Sequence, residues 1–394
     1  MRFLFITPYY FPATSYGGPV YSVKELAENL AKRGHFVTVL TSNLNRDKEI
    51  YNKTKTEKKI NKVKVIYFRV NFFKFFKKNL FGYFYSNALK EYLRDNIKNF
   101  DIVHSQINFN YFSYIGLKLA QKNNIINFFS QRGTFSPERL KFKSLKKKVY
   151  FHLFEKNLIK KCTNLIALND FEVEYYKALG FVNRIVKIPN GINRIKFKRN
   201  NLITRHVKKD KLNILFLARI SKLKGIDILI KTIIKYNDKL KKYNFHIAGF
   251  DEEKYFENFN NDFIKHKNIY YYGHLESDLK YSLIEKIDAL ILPSYGEGLS
   301  ISILEALYFK KIILTSNLIK FSDKDFEINF NLNPSSIFKA LKKYSKLKKN
   351  NKLKSESLNA HKYVIENFSW SVIVDKYLKV SKDAILKQKY NSLN

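Results

Sequence analysis

Two glutamates, Glu297 and Glu305, stand in the segment Pro293-Ser294-Tyr295-Gly296-Glu297-Gly298-Leu299-Ser300-Ile301-Ser302-Ile303-Leu304-Glu305-Ala306-Leu307. An apolar run ends at Pro293, the glycines flanking Glu297 read as a turn, and the spacing from Leu299 to Tyr308 predicts a helix that starts near Leu299. The first amides of that helix, around Leu299 and Ser300, would form an anion site that needs no side chain. Glu305 follows Ile301 by one turn and so shares an apolar face. A carboxylate buried there needs donors, and the two hydroxyls of a ribose would supply them. Glutamates at this spacing are common, so a solvated or structural pair stays open on these residues alone.

A second segment, Phe216-Leu217-Ala218-Arg219-Ile220-Ser221-Lys222-Leu223-Lys224-Gly225, places Arg219 just after a predicted strand and Lys224 at the start of the helix that follows. Two cations at the carboxyl edge of a sheet can neutralise a diphosphate. With 73 Lys and Arg in 394 residues, a cation at any one position says little, and solvated surface cations are as good a reading. Gly17-Gly18, in the first strand-to-helix loop, would let backbone approach a ligand closely, or form a plain turn; no G-x-G-x-x-G fingerprint accompanies them.

These residues need a scaffold, and the pattern predicts one. Residues 3–6 are a short apolar run, 8–19 a loop, Val20 to Lys32 a helix ended by Gly34, and Phe36 to Leu40 a strand. This is a βαβ unit, which builds parallel sheets covered by helices. Further strands are expected at Val63 to Phe68, Ile102 to His104, Ile126 to Ser130, Leu165 to Leu168 and Ile185 to Ile188. After a basic, polar stretch that ends near Asp210, strands at 214–218, 245–248, 289–292 and 312–315 alternate with helices at 226–240, 279–287 and 299–308. The expected class is α/β with two doubly wound domains, 1–197 and 211–368, and a helix in 369–394 that packs back on the first. Two such domains would leave a cleft at the carboxyl ends of their strands.

Composition limits the classes. The 394 residues include 27 Tyr and 35 Phe, too aromatic for a disordered chain, and are long enough for two or three cores. One cysteine, Cys162, excludes an intramolecular disulfide framework and a cysteine-based metal site, and suits a reducing compartment. The apolar stretch before Pro8 is too short for a signal-peptide core, and no run reaches the roughly 18 to 20 apolar residues of a membrane span, so the expected location is cytoplasmic. Net charge is +39, which predicts attraction to something anionic, although Lys- and Asn-rich nucleotide bias would also produce part of it. Residues 1–200 hold 38 basic and 13 acidic side chains, against 35 and 21 in the rest. The excess gathers in Lys53 to Lys98, around Phe72-Phe73-Lys74-Phe75-Phe76-Lys77-Lys78, and in Arg139 to Lys161. Lysines interleaved with phenylalanines suit an anionic membrane surface, or a helix with its rings in the core.

Taken together, Gly17-Gly18, Gly34-His35-Phe36-Val37-Thr38-Val39, Asp101-Ile102-Val103-His104, Ile188-Pro189-Asn190-Gly191-Ile192, Arg219 with Lys224-Gly225, and Glu297 to Glu305 resemble the retaining, nucleotide-sugar-dependent glycosyltransferases of family 4, with the GT-B fold. The resemblance spans nearly the whole chain, to Phe368-Ser369-Trp370-Ser371. It implies that Arg219 and Lys224 hold the donor diphosphate, assisted by the amides of Gly298, Leu299 and Ser300. Glu305 would hold the ribose, Glu297 the transferred sugar, and Gly17-Gly18 would close over the ligand from the other domain. Where many members carry a histidine, this chain has Ser130-Gln131-Arg132-Gly133-Thr134, so Arg132 would contact the donor sugar or the acceptor. Gln106 stands where a second histidine is usual, and Tyr308-Phe309-Lys310-Lys311-Ile312 replaces the usual run of small residues, glycine and proline.

The implied activity is a retaining, metal-independent hexosyltransferase that takes a nucleotide diphosphate sugar as co-substrate and no cofactor. Its acceptor would be a glycan or lipid-linked hydroxyl in synthesis of capsule, lipopolysaccharide or another surface glycan, met on the inner face of the plasma membrane. The 8 histidines form no H-E-x-x-H pair, and Asp323-Lys324-Asp325 matches a D-x-D motif only superficially, in a late polar loop. The rival readings are a GT-B epimerase or phosphorylase and a basic nucleic-acid-binding protein. The first would need acidic groups that the first domain's loops offer sparingly; the second has charge but no reading motif, so no nucleic-acid partner is expected.

Overall fold

In a computed structural model the described residues are all but 47, 72–83, 137–147, 183, 252–254, 256–265, 351 and 392–394. The core of the phenylalanine-lysine segment, 72–78, and the stretch 139–147 therefore lie outside the described residues. The chain forms two compact units, one of Met1–Gly191 with Trp370–Asn394, the other of Ile192–Ser369.

The first unit holds an eight-stranded sheet ordered Ile185–Lys187, Asn164–Ala167, Ile126–Ser130, Ile102–Gln106, Arg2–Ile6, Phe36–Ser42, Val63–Phe68, Lys55–Ile60. All neighbours run parallel except the last pair. Lys55–Ile60 is a strand that the sequence pattern does not announce. Its Lys-Thr-Glu-Lys-Lys-Ile is mostly exposed, as suits an edge that resists further pairing. Central strands are buried on both faces and each holds at least two adjacent apolar residues, such as Phe3 to Ile6, Ile102-Val103 and Phe128-Phe129, which is why they are legible. Helix Gly18–Lys32 returns the chain after the first strand and buries Val20, Val23, Leu26, Ala27 and Leu30. The tail helix Trp370–Asn391 packs beside it: Ile373, Val374, Tyr377 and Val380 join Phe3, Phe5 and Leu26 in one core. Arg33 clasps that helix through Asp375 and Ser371, each at 2.9 Å.

The second unit is a six-stranded, all-parallel sheet ordered Ile269–Tyr271, Tyr243–Ala248, Leu212–Leu217, Ala289–Leu292, Ile312–Ser316, Glu327–Phe330. Its two edge strands are short and only partly apolar, and neither stands out in the sequence. Residues 192–210, a polar linker by composition, belong to this unit. Ile195 N–H donates to the Tyr308 hydroxyl (3.2 Å), Asn200 N–H to Ser282 (2.9 Å), and Arg199 grips Glu285 through two nitrogens. Side-chain capture of backbone by distant residues leaves no periodic trace in the sequence. Among the described residues no helix is long and apolar enough to cross a membrane.

Candidate functional site

In the second unit the loop after Leu212–Leu217 and the loop after Ala289–Leu292 lie together at the carboxyl ends of adjacent strands. Tyr295 N–H donates to the Leu223 carbonyl at 3.0 Å. Gly225, at φ +68°, rests against Pro293, and a Cβ there would fall 1.9 Å from the Pro293 oxygen. Only glycine permits both the left-handed backbone and that approach. Gly249 does the same beneath the other end of the first loop: a Cβ would stand 1.7 Å from the Ala218 oxygen, next to Arg219. Backbone seams of this kind fix where Arg219 and Lys224 leave the chain.

Lys224 is buried and forms an ion pair with Oε1 of Glu297, which also accepts from the Ser294 hydroxyl at 3.1 Å. The expected phosphate cation and the expected sugar carboxylate are thus brought into contact. Arg219 is half-buried beside them in the sequence of the same loop. Lys224 closes a short turn, Lys222–Lys224, and Gly225 rather than Lys224 caps the helix Ile226–Lys235.

The helix that carries Glu305 begins two residues later than its apolar spacing suggests. It runs Ile301–Tyr308, with Ser300 extended (φ −70°, ψ 120°) as its N-cap and the Ser300 hydroxyl 2.8 Å from that of Ser302. Gly298 and Leu299 lie in the approach to the helix, and the first-turn amides belong to Ile301, Ser302 and Ile303. Leu299 packs its side chain against the core ahead of the helix, so helical periodicity counted it as helical. Glu305 is 5% exposed. Its Oε1 receives Lys280 Nζ at 2.6 Å and the Tyr281 hydroxyl at 3.3 Å, both from helix Ser277–Lys286. Lys280 also lies over the Tyr281 ring, 4.6 Å from its centroid. Neither residue was a candidate by sequence: Lys280 is one cation among many, and only the fold shows that it faces a buried carboxylate.

The other predicted residues stand in the first unit. Gly17, at φ +74°, is the N-cap of helix Gly18–Lys32, and Gly18 is its first residue. Arg132 leaves strand Ile126–Ser130 in a left-handed conformation (φ +50°), 8% exposed. Its Nε donates to Gln106 Oε1 (2.6 Å), and one terminal nitrogen to Ser22 Oγ (3.0 Å) and Asn190 Oδ1 (3.1 Å). Three elements that the resemblance singled out, the Gly17-Gly18 helix, Gln106 and the Pro189-Asn190-Gly191 turn, therefore converge on one guanidinium. Burial pulls the Arg132 pKa down to about 10 against the opposing charge of Glu172. Below it His104 links the Tyr377 hydroxyl (3.0 Å) to the Ser130 hydroxyl (2.8 Å), and burial, aided by Arg132, holds its pKa well below 6.5, so the ring is neutral. Gly191 is obligatory here, since a Cβ would strike the Trp370 ring at 2.5 Å. Among the described residues no group of three or more His, Cys, Asp or Glu is placed to hold a metal ion.

Known proteins share these domains and this fold. Residues 16–195 match the Glycosyltransferase Family 4 domain and residues 198–356 the Glycosyl transferases group 1 domain. A 41.2 kDa protein from the cps region of Klebsiella pneumoniae is 29% identical over 232 residues, 56% of this chain and 61% of that one, so the chain spans about three fifths of that relative's length. Sucrose-phosphate synthase from Thermosynechococcus elongatus superposes with a TM-score of 0.73 at 12% identity, covering 98% of this chain and 100% of that one. HepE of Anabaena, solved in complex with UDP-glucose, gives 0.70 at 13% identity over 97% and 100%. With both domain matches on two Rossmann-like units of parallel sheet, the chain belongs to the GT-B glycosyltransferases that join a family 4 domain to a group 1 domain.

Proposed function

We propose that the protein moves a hexose from a nucleotide diphosphate sugar to a hydroxyl of a glycan or lipid-linked acceptor, with retention at the anomeric carbon, in synthesis of a surface polysaccharide. The observation that carries this is the contact of Lys224 with Glu297 at the carboxyl edge of the second sheet, one turn of chain before the helix that buries Glu305. A cation and a carboxylate that neutralise each other without ligand can part to receive one. Lys224 would pass to the diphosphate and Glu297 to hydroxyls of the sugar, while Arg219 and the first-turn amides of Ile301–Tyr308 meet the remaining phosphate charge. Fixed positive charge of this kind does the work of a divalent ion at the leaving group, and the reading is metal-independent on that ground. The cps-region relative supports a polysaccharide context, and the UDP-glucose in HepE supports a nucleotide sugar.

In the reaction the acceptor oxygen bonds to the anomeric carbon on the face that the leaving diphosphate occupies. The bond from that carbon to the phosphate oxygen breaks, and the same phosphate oxygen takes the acceptor's proton. No side-chain base is then required. Arg132, rigid and buried in the first unit, would contact the sugar or acceptor.

A thermal-shift panel of nucleotide sugars tests the reading. The cognate donor at about 100 times its Kd should stabilise the protein by about 2.7 kcal/mol, and non-cognate bases should not. Product analysis by NMR should then show the donor's anomeric configuration kept. A panel in which no nucleotide sugar shifts the melting temperature overturns the proposal.

A further inference from the structure

Helical segment 148–161 of the first unit contradicts the usual disposition of apolar side chains. Leu153 is 70% exposed, Val149 51% and Phe154 44%. Val149 and Leu153 are four apart and Phe154 adjoins them, its ring 5.3 Å from Tyr150 and 6.1 Å from Tyr114 of helix Tyr111–Lys122. On the same segment Lys148, Lys160 and Lys161 are exposed, as are Lys118 and Lys122 on the neighbouring helix, where Lys118 Nζ lies 5.5 Å from the Tyr114 ring centroid. Across 111–122 and 148–161 the one acidic residue is Glu155, and it is buried. Scattered exposed leucines are ordinary; three large apolar groups together on two segments that expose lysines and no carboxylate are not.

The buried side of the same segment reaches the loop below the Arg132 strand's neighbour. Both oxygens of Glu155 accept the Phe109 N–H, at 2.8 and 3.0 Å, three residues after Gln106, the residue that holds Arg132 Nε. Ile107 and Phe109 both have positive φ, so this loop is shaped by its partners rather than by local preference. The exposed strip and the Arg132 cluster are thus opposite ends of one short covalent and hydrogen-bonded path.

We infer that Val149, Leu153 and Phe154, with the exposed lysines of the same two segments, dock the first unit on an anionic lipid bilayer, the side chains entering the headgroup region while the ammonium groups meet lipid phosphates. A lipid surface fits better than a folded protein partner because the exposed charges of 111–122 and 148–161 are all cationic beside a narrow apolar strip, a pattern that suits fluid, anionic, sequence-independent contact. The inference rests on the proposed lipid-linked acceptor for its purpose, but docking stands or falls separately from sugar transfer. Segment 148–161 lies within the basic stretch Arg139 to Lys161.

Co-sedimentation with vesicles of phosphatidylcholine alone and of phosphatidylcholine with 30% phosphatidylglycerol tests it. The wild type should partition onto the anionic vesicles, weakly onto the neutral ones, and less as salt rises. L153S/F154S should partition at least tenfold more weakly, because each ring or leucine that leaves the interface forfeits its burial. K148E/K161E should lose the preference for anionic lipid. L386S, at a leucine 66% exposed on the tail helix, should behave as wild type. Nucleoside diphosphate affinity, read by calorimetry on the same samples, should be unchanged in every variant. Equal partitioning of L153S/F154S and wild type overturns the inference, as does a wild type that ignores anionic vesicles or binds RNA in their place. Loss of nucleotide binding in the wild type with vesicle binding intact would overturn the proposed reaction and leave the docking surface standing.

Discussion

Lys280 Nζ lies 2.6 Å from Oε1 of Glu305, from one helix to the next, and Tyr281 donates to the same oxygen at 3.3 Å. Both contacts fall on a single carboxylate oxygen. Removing one partner of a buried pair leaves a charge uncompensated. Because Lys280 keeps 23% of its side chain exposed, Lys280→Met should destabilise the protein by about 2 to 3 kcal/mol, below the usual ~3 to 5 for a fully buried pair. The double variant Lys280→Met/Glu305→Gln should recover part of that in urea denaturation, a non-additivity that independent sites would not show. If Glu305 reads a ribose, Lys280→Met should also narrow the difference in affinity between ribo- and 2′-deoxyribonucleoside diphosphates.

Lys224 and Glu297 should respond in opposite senses to loss of their partner. Lys224→Ala should weaken nucleoside diphosphate binding by roughly 1.5 to 3 kcal/mol, the range of a charge-assisted hydrogen bond. Glu297→Gln releases Lys224, so calorimetry should find free nucleotide bound as well as in the wild type, or more tightly, while turnover falls. Equal loss of nucleotide affinity in both variants would contradict the exchange of Lys224 from carboxylate to phosphate.

Gly225→Ala tests the seam between the two loops. The new methyl would meet the Pro293 carbonyl inside van der Waals contact and sit at φ +68°, so the loops must separate. A loss of about 2 to 4 kcal/mol in unfolding free energy is expected, well above the ~1 kcal/mol of a left-handed alanine alone. Gly34→Ala, at φ +83° with nothing within 4 Å, supplies that lower reference value.

Burial raises the Glu155 carboxyl to about 8 in the folded state, against the N–H donors of Phe109 and Asn110, while the unfolded chain titrates near 4.5. The folded protein therefore binds the extra proton between those values. Its stabilising effect is complete below about pH 4.5 and is lost as pH rises through about 8. Chemical denaturation from pH 5 to 8.5 should show a decline in stability, on the order of a few kcal/mol at most, that Glu155→Gln removes.

The alternation of apolar strands with helices, the parallel sheets, and the placement of Glu297 in a glycine-bearing turn ahead of the helix that carries Glu305 were all legible in the sequence. Each depends on local periodicity: strands such as Arg2–Ile6 and Ala289–Leu292 are buried on both faces and so carry short apolar runs, Phe3 to Ile6 and Ala289 to Leu292. The edge strands Lys55–Ile60 and Glu327–Phe330 were not legible, because an edge needs few apolar residues. Only the tertiary structure decided that Lys224 meets Glu297, that Lys280 and Tyr281 take the buried Glu305, and that His104 reaches Tyr377 across 273 positions. Contacts of that kind are chosen by packing geometry between elements, and in a chain with 73 cations no local pattern marks which lysine will face a carboxylate.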